Sequence, residues 1–180
     1  MRRFGKYLLI MLLPLGVLLV RPIIPATVLA FGEEIRLATE PIDPRDIFRG
    51  DYVTLSFSIE RLPATLMDET ARKKWSDARP VYDDSWWYVR LDPDSGGISQ
   101  AVTLLVAPPE EGTYIRGHIR YHHSSSDMLE MDYGAHLKRF YVKENTGLEL
   151  ERAAQKGHIE AVAKVWKGRA VLESVKEALR

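Results

Sequence analysis

The chain of 180 residues contains no cysteine. This absence excludes a disulfide framework, a thiolate metal site, a cysteine nucleophile and an anchor attached through a lipidated cysteine. The chain also has no net charge, because 25 basic residues balance 25 acidic ones. Without the four basic residues of positions 1–31, 21 basic residues remain against 25 acidic ones, a net charge of −4. A mildly acidic domain matches phosphate-backbone binding poorly, so we expect no nucleic-acid partner.

Motifs of common enzyme classes are also missing. The sequence has no Gly-x-Ser-x-Gly elbow, no Ser-x-x-Lys pair and no glycine-rich phosphate loop. Ser124, Ser125 and Ser126 lie between His123 and Asp127, but a catalytic triad is defined by its arrangement in space and not by adjacency. A short polar run of this kind is typical of a loop. We therefore expect no catalytic residue and no cofactor.

What the sequence does contain begins with an apolar N-terminal segment. The basic residues Arg2, Arg3 and Lys6 precede residues 7–20, which carry no charge. This order is typical of a segment that enters the membrane-insertion pathway with its basic end retained in the cytoplasm. We therefore expect the rest of the chain to face outward.

Two outcomes are open for this segment. A spanning helix needs about 20 apolar residues, which residues 4–30 supply only if Arg21 is tolerated near the helix end by snorkelling of its guanidinium. A signal peptide has a shorter apolar core and ends at small residues, and residues 28–30 offer such a cleavage site. We expect residues 1–31 to form a retained anchor in the cytoplasmic membrane, with the N-terminus inside and residues 32–180 as one extracytoplasmic domain.

Beyond this segment, hydrophobic periodicity predicts mostly strands. In residues 51–61 the apolar positions alternate with polar ones, as in a half-buried strand. Further strands are predicted at residues 86–91, 98–106, 113–122, 139–143, 159–167 and 169–175. The turn composition of residues 92–97 and of Lys167-Gly168 predicts that the flanking strands form hairpins.

Helices are predicted at only two places in the domain. Residues 63–77 have helix-forming composition, with Leu66, Ala71 and Trp75 able to share a face, and residues 148–156 form a shorter segment. Short strands at regular spacing favour one small β-barrel or β-sandwich-like domain with one or two short helices. The predicted fold class is therefore mainly β (α+β), preceded by an N-terminal transmembrane helix.

The most informative stretch, residues 41–57, lies shortly after the apolar segment. It resembles the signature of the GDYXXLXY family of bacterial membrane-anchored proteins. The defining positions of that family correspond to Gly50, Asp51, Tyr52 and Leu55, and Phe57 stands where the family usually has tyrosine. Residues 133–149 are similar to a second family stretch, an aromatic strand followed by an acidic, glycine-containing turn.

This resemblance implies a membrane-anchored protein whose signature positions have no assigned catalytic role. Family members are commonly encoded beside multi-pass membrane proteins of unknown function. A multi-pass membrane protein is therefore the first candidate partner, in addition to the lipid bilayer that the N-terminal helix would enter.

The signature has a structural and a functional interpretation. Gly50 before a strand suggests a positive φ or a close backbone approach, and Tyr52 can bury its ring with the hydroxyl bonded. In this interpretation the signature shapes the entry into a strand. The alternative is a ligand-binding or partner-binding site formed by Arg45, Arg49, Gly50, Asp51, Tyr52 and Leu55.

A histidine-rich segment offers a competing hypothesis. His118, His122, His123 and Asp127 are residue types that bind zinc and other transition metals. On a regular strand, however, His118 and His122 are about 13 Å apart, and His123 points to the opposite face. We therefore expect no metal site and interpret these histidines as solvated residues at a strand end.

Neighbouring tryptophans raise one more possibility. Trp86 and Trp87 must point to opposite faces of a strand, so at least one can lie near a surface and stack on a sugar. The sequence predicts foremost a non-enzymatic accessory or interaction module of a membrane complex. The alternatives are a cell-envelope hydrolase or metal-dependent enzyme that uses residues 118–127, and a glycan-binding module.

Overall fold

The structure is a computed structural model that describes residues 18–40, 52–78, 83–123, 127–141 and 159–177, together with residues 12, 14 and 16. Within these ranges the chain is predominantly β with a few short helices, which confirms the predicted class of the domain.

Most strands belong to two sheets in which neighbouring strands are antiparallel. The strands are β1 (Glu33–Glu40), β2 (Tyr52–Thr54), β3 (Ser56–Phe57), β4 (Arg61–Pro63), β5 (Asp83–Pro93), β6 (Ser99–Leu105), β7 (Thr113–His123), β8 (Met128–Asp132), β9 (Arg139–Tyr141), β10 (Ile159–Trp166) and β11 (Arg169–Glu177). One sheet has the order β11-β10-β1-β3 and the other the order β4-β8-β7-β5-β6. A third, two-stranded sheet consists of β2 and β9.

Three α-helices accompany the strands in the described part of the chain: α1 (Ile23–Phe31), α2 (Glu69–Ala78) and α3 (Ala135–Lys138). Leu18, Leu19 and Val20 are also helical, and a turn at Arg21 and Pro22 separates them from α1. None of the helices that the described residues form is both long enough and apolar enough to cross a membrane.

One hydrophobic core lies between the two larger sheets. Leu37 of β1 and Ala163 of β10 contribute from one sheet, and Val89 of β5 and Ile115 of β7 contribute from the other. Helix α2 covers part of this core. Its Trp75 meets Trp87 in an edge-to-face contact with ring centroids 6.1 Å apart.

The predicted hairpins are confirmed. β5 pairs with β6, and β10 pairs with β11, each in antiparallel register. At the second turn Lys167 has φ 50° and Gly168 has φ 74°. Positive φ at both central residues is the geometry of a tight turn whose twist matches that of the flanking strands.

The predicted strand at residues 51–61 is wrong as one continuous element. It is divided into β2, β3 and β4, with a short 3₁₀-helix at Ser58–Glu60. Burial still alternates along this stretch as predicted, because Leu55, Phe57 and Ile59 are all in the core. The interruption is stabilised by the Ser56 hydroxyl, which donates a hydrogen bond to the Glu60 carboxylate four residues later.

The predicted helix at residues 63–77 is shorter than expected. A 3₁₀ turn at Ala64–Leu66 comes first, and α2 begins only at Glu69. The side chain of Asp68 accepts a hydrogen bond from the Ala71 N–H and so caps this later start. Strands β1 and β8 are not among the predicted elements, and β4 extends two residues beyond the predicted strand at residues 51–61. The predicted helix at residues 148–156 and the end of the strand at residues 139–143 lie outside the described residues.

Candidate functional site

Helix α1 packs against the hairpin that β10 and β11 form. Val28 on this helix is fully buried, and the ring of Phe31 lies 6.5 Å from that of Trp166 between centroids. Gly32 then connects α1 directly to β1. A Cβ atom at Gly32 would lie 3.0 Å from Cβ of Lys164, so the backbone here approaches β10 more closely than a larger residue would allow.

A pocket of about 250 Å³ lies beside α1. Its apolar wall consists of Ile24, Pro25, Val28, Ala170 and Val171. Its basic groups are Arg21, Arg116, Arg169 and His136, and no acidic residue is among the described residues that line it. The pocket therefore combines a cluster of positive charge with an apolar wall.

Arg116 is the most firmly held of these basic groups. Its guanidinium carbon is 4.4 Å from the centroid of the Trp86 ring, the geometry of a cation–π contact. Its Nε atom is buried and has no hydrogen-bond partner among the described residues. The Arg116 backbone N–H donates to the Gly168 carbonyl oxygen at 2.8 Å, which ties the tip of the β10–β11 hairpin to β7.

The two tryptophans do point to opposite faces of β5. Trp87 is fully buried, whereas Trp86 is 45 % exposed. His118 also contacts the Trp86 ring, with centroids 4.0 Å apart. Arg116 and His118 both lie against this indole, so part of its surface is occupied by packing within the chain.

His118 is not a solvated residue at a strand end, so that part of the sequence interpretation is wrong. Its Nδ1 lies 3.1 Å from the Ser85 carbonyl oxygen, and because a carbonyl only accepts, Nδ1 donates. β7 is irregular between Ile119 and Tyr121, so strict alternation does not extend from His118 to the end of the strand. The side chains of His122 and His123 lie outside the described residues. Within the described part, no three His, Asp or Glu residues are grouped to hold a metal ion.

A second group of polar residues centres on Glu60, which is buried. Its Oε2 accepts a hydrogen bond from the Ser56 hydroxyl at 3.0 Å, and its Oε1 lies 3.5 Å from the Lys138 ammonium. Burial raises the pKa of Glu60, and Lys138 and Ser56 offset only part of this effect. Tyr133, which also lines the pocket, donates its hydroxyl to the Ile59 carbonyl oxygen at 2.6 Å. Burial, and then the charge of Glu60, raise the pKa of Tyr133 well above its ordinary value.

Asp132 extends this group toward the surface. Its carboxylate lies 2.8 Å from Arg120 and 3.8 Å from Lys138, and it accepts a hydrogen bond from the Gly134 N–H at 3.0 Å. Partial burial opposes the ionisation of Asp132. The Gly134 N–H and the two cations outweigh that cost and hold the pKa of this carboxyl below its ordinary value.

Comparison with known proteins identifies the family. The family model described as GDYXXLXY protein matches residues 14–175, most of the chain. The chain belongs to the GDYXXLXY protein family. The resemblance of the signature stretch is thereby confirmed. No curated protein matches the chain, and no solved structure matches it either.

The GDYXXLXY signature is only partly within the described residues. Leu55 is in the core, 2 % exposed, and its N–H donates to the Lys138 carbonyl oxygen at 2.9 Å. Tyr52 lies in β2 and pairs with Tyr141 of β9. The remaining proposed site residues, Arg45, Arg49, Gly50 and Asp51, lie outside the described residues, as does the side chain of Tyr52.

Sequence reasoning did not find the pocket of this GDYXXLXY protein. Arg21 was interpreted only as a residue of the anchor, and Arg116 and Arg169 were not singled out. The pocket-lining residues come from five separate parts of the chain, so no local spacing connects them. The one available signal was the pair Trp86 and Trp87, of which at least one is predicted to lie near a surface.

Proposed function

We propose that this GDYXXLXY protein is a single-pass membrane protein of the cytoplasmic membrane whose extracytoplasmic domain acts as a non-enzymatic interaction module of a membrane complex. Residues 1–31 contain the anchor, the N-terminus is inside, and a multi-pass membrane protein is the first candidate partner. The family supports this proposal through the membrane anchoring and gene neighbourhood that its members share.

The distribution of exposed apolar side chains carries the proposal. Of the nine large apolar side chains that are exposed in the described part of the chain, eight belong to the N-terminal segment: Leu12, Leu18, Leu19, Val20, Ile23, Ile24, Leu29 and Phe31. Burying one such side chain is worth about 1.5–3 kcal/mol. A concentration of exposed apolar side chains of this kind favours coverage by a membrane or another protein.

The charges around this segment support the membrane in particular. Residues 7–20 carry no charge, and Lys6 and Arg21 stand at the two ends. Long basic side chains reach the headgroup region by snorkelling, so Arg21 is compatible with a span of about 20 residues drawn from residues 4–30. The stronger basic cluster at Arg2 and Arg3 favours an inside N-terminus.

The connection between the segment and the domain is short and well packed. Helix α1 ends at Phe31, and β1 begins at Glu33 after the single residue Gly32. β1 is an inner strand of its sheet, paired with β10 on one side and with β3 on the other. A domain joined in this way stays close to the membrane surface, where membrane proteins are accessible to it.

Crosslinking in membranes tests the interaction. The full chain with a C-terminal tag is crosslinked in cells, extracted in neutral detergent and purified, and the bound proteins are quantified. The control is an unrelated single-pass protein with the same tag and expression level. We expect one multi-pass membrane protein to be enriched at near-stoichiometric amount. The proposal is wrong if nothing exceeds the control, or if the purified chain proves to hydrolyse envelope substrates.

A further inference from the structure

We propose that the pocket beside α1 binds the phosphate group of an anionic membrane lipid. This inference deepens the proposed function and rests on it, because it requires that α1 lie at a membrane surface.

The basic residues of the pocket form an incomplete set of charges. Arg21, Arg116, Arg169 and His136 line one cavity, and no described lining residue supplies a compensating carboxylate. None of the four takes part in an ion pair among the described residues. Three guanidinium groups around one cavity favour an anionic ligand there.

Arg116 is prepared to receive that anion. Its guanidinium is held against the Trp86 ring, and its buried Nε lacks a hydrogen-bond partner. A buried polar atom left without a partner calls for a physical explanation, such as a bound ion. A planar, oriented guanidinium presents paired N–H donors that fit the oxygens of a phosphate.

The opposite wall identifies the kind of phosphate. Ile24, Pro25 and Val28 of α1 and Ala170 and Val171 of β11 are apolar, and they gain nothing from a small hydrated ion. They favour a ligand whose phosphate is attached to an apolar part. The volume of about 250 Å³ is below that of most sites for drug-sized ligands, so it suits a headgroup phosphate while the acyl chains remain outside.

The position of the pocket makes a membrane lipid the available ligand. Arg21 both lines the pocket and ends the uncharged residues 7–20. In the proposed topology this residue lies at the level of the lipid headgroups. A phospholipid of the same leaflet can therefore place its phosphate between Arg21 and Arg116 while its chains remain in the bilayer.

Native mass spectrometry of the purified full chain in neutral detergent tests this proposal. The probes are dioctanoyl phosphatidic acid, dioctanoyl phosphatidylcholine, glycerol 3-phosphate and inorganic phosphate. We expect one phosphatidic acid molecule to bind about tenfold more tightly than any other probe. Equal binding of inorganic phosphate would identify a free-phosphate site, and equal binding of phosphatidylcholine would show contact with the chains alone. Either result overturns the proposal, as does an absence of binding.

Two variants and a matched control assign the binding to the pocket. Arg116→Gln and Arg169→Gln should each weaken phosphatidic acid binding about tenfold, which is the loss of one charge-assisted contact. Arg61→Gln makes the same change in charge at an exposed arginine that does not line the pocket, and should have less than about a twofold effect. Arg169 is exposed, so its variant remains informative if Arg116→Gln does not fold. Unchanged binding in the folded variants would refute the assignment.

The assay separates this inference from the proposed function. It uses purified protein and does not depend on how the chain is retained in the cell. If lipid binding fails while the protein stays in the membrane, only the pocket assignment is wrong. If the mature chain begins at Phe31, the anchor is wrong, and the pocket loses both Arg21 and most of α1.

Discussion

At the scale of single residues, Glu60 stands out because its carboxylate lies in surroundings that disfavour the charged form. Its carboxylate is buried, one of its oxygens has no hydrogen-bond partner among the described residues, and Lys138 lies at the longer distance of 3.5 Å. A buried charge that is only partly compensated destabilises a fold. Glu60 follows closely on the signature residue Leu55, and its contact with Lys138 joins that part of the chain to α3.

Replacing this carboxylate by its uncharged isostere should change the pH dependence of stability. Burial raises the pKa of Glu60 above its ordinary value of about 4.5 in the folded state. The folded protein therefore binds this proton more tightly than the unfolded chain, and stability falls as pH rises from the ordinary to the raised pKa. Glu60→Gln lacks this ionisable group, so its free energy of unfolding should not show that decline. The difference between the variant and the wild type should therefore increase in favour of the variant between about pH 4 and pH 8.

Chemical denaturation across this pH range measures the difference. Glu130→Gln, at an exposed carboxylate on β8, is the matched control and should follow the wild type. Contributions from titrating groups that do not interact with Glu60 cancel in the comparison, whereas Asp132 shares Lys138 with it. Parallel curves for wild type and Glu60→Gln would contradict the prediction.

Leu55 permits a direct test of the structural part of the GDYXXLXY signature. Its side chain is in the core, and its N–H is bonded to the Lys138 carbonyl oxygen. Leu55→Ala should lower the free energy of unfolding by about 2–5 kcal/mol, because a buried leucine leaves a cavity when it is truncated. Leu66→Ala, at a half-buried position on the rim of the core, should cost clearly less. Equal small effects in urea denaturation would show that Leu55 does not act through packing.

At the scale of elements, the β10–β11 hairpin connects α1, the core and the pocket. β10 pairs with β1, and at the hairpin tip the Gly168 carbonyl oxygen accepts a hydrogen bond from the Arg116 N–H. The same hairpin forms part of the pocket wall through residues 168–171. A change at its tip should therefore affect both stability and the pocket.

Gly168→Ala tests this hairpin directly, because it adds a Cβ atom at the tip. Gly168 has φ 74°, and a Cβ atom there would lie 2.7 Å from Cε2 of Tyr114. Strain and overpacking together should lower the free energy of unfolding by about 1–3 kcal/mol. Gly96→Ala, in the β5–β6 turn, meets only a flexible Asp94 oxygen at 3.3 Å and should be nearly neutral. Thermal unfolding of both variants measures this, and equal melting temperatures would contradict the prediction.

The elements that the sequence predicted correctly are those with local signals. The β10–β11 hairpin follows from two β-rich runs around Lys167-Gly168, and the β5–β6 hairpin follows from the turn composition of residues 92–97. The sequence does not predict the break at Ser58–Glu60, because tertiary contacts stabilise it in addition to the local Ser56–Glu60 hydrogen bond. Tyr133 bonds the Ile59 carbonyl oxygen and Lys138 approaches Glu60, and no pattern within residues 51–61 shows either contact.

At the scale of the whole molecule, the pocket shows why the candidate site could not be predicted. Arg21, Trp86, Arg116 and Arg169 are far apart in sequence and meet only after α1 packs on the hairpin. The histidine segment, by contrast, is compact in sequence, but His118 proves to be part of the packing around Trp86. Proximity along a chain is a weak guide to a site in a fold of two packed antiparallel sheets.

The last prediction concerns the placement of the molecule in the cell. A phosphatase that is active only outside the cytoplasm, fused after Arg180, should be active, because the basic cluster before residues 7–20 keeps the N-terminus inside. The full chain should also remain in the membrane after a carbonate wash, since lipid-embedded apolar residues resist extraction whereas surface charges do not. Leu18→Asp combined with Leu19→Asp places two charges in the exposed apolar segment and should release the protein. Arg36→Asp, a charge change within the domain, should leave retention unaltered. A soluble wild-type protein whose N-terminus is Phe31 would show that the segment is a cleaved signal peptide and that the domain acts without an anchor.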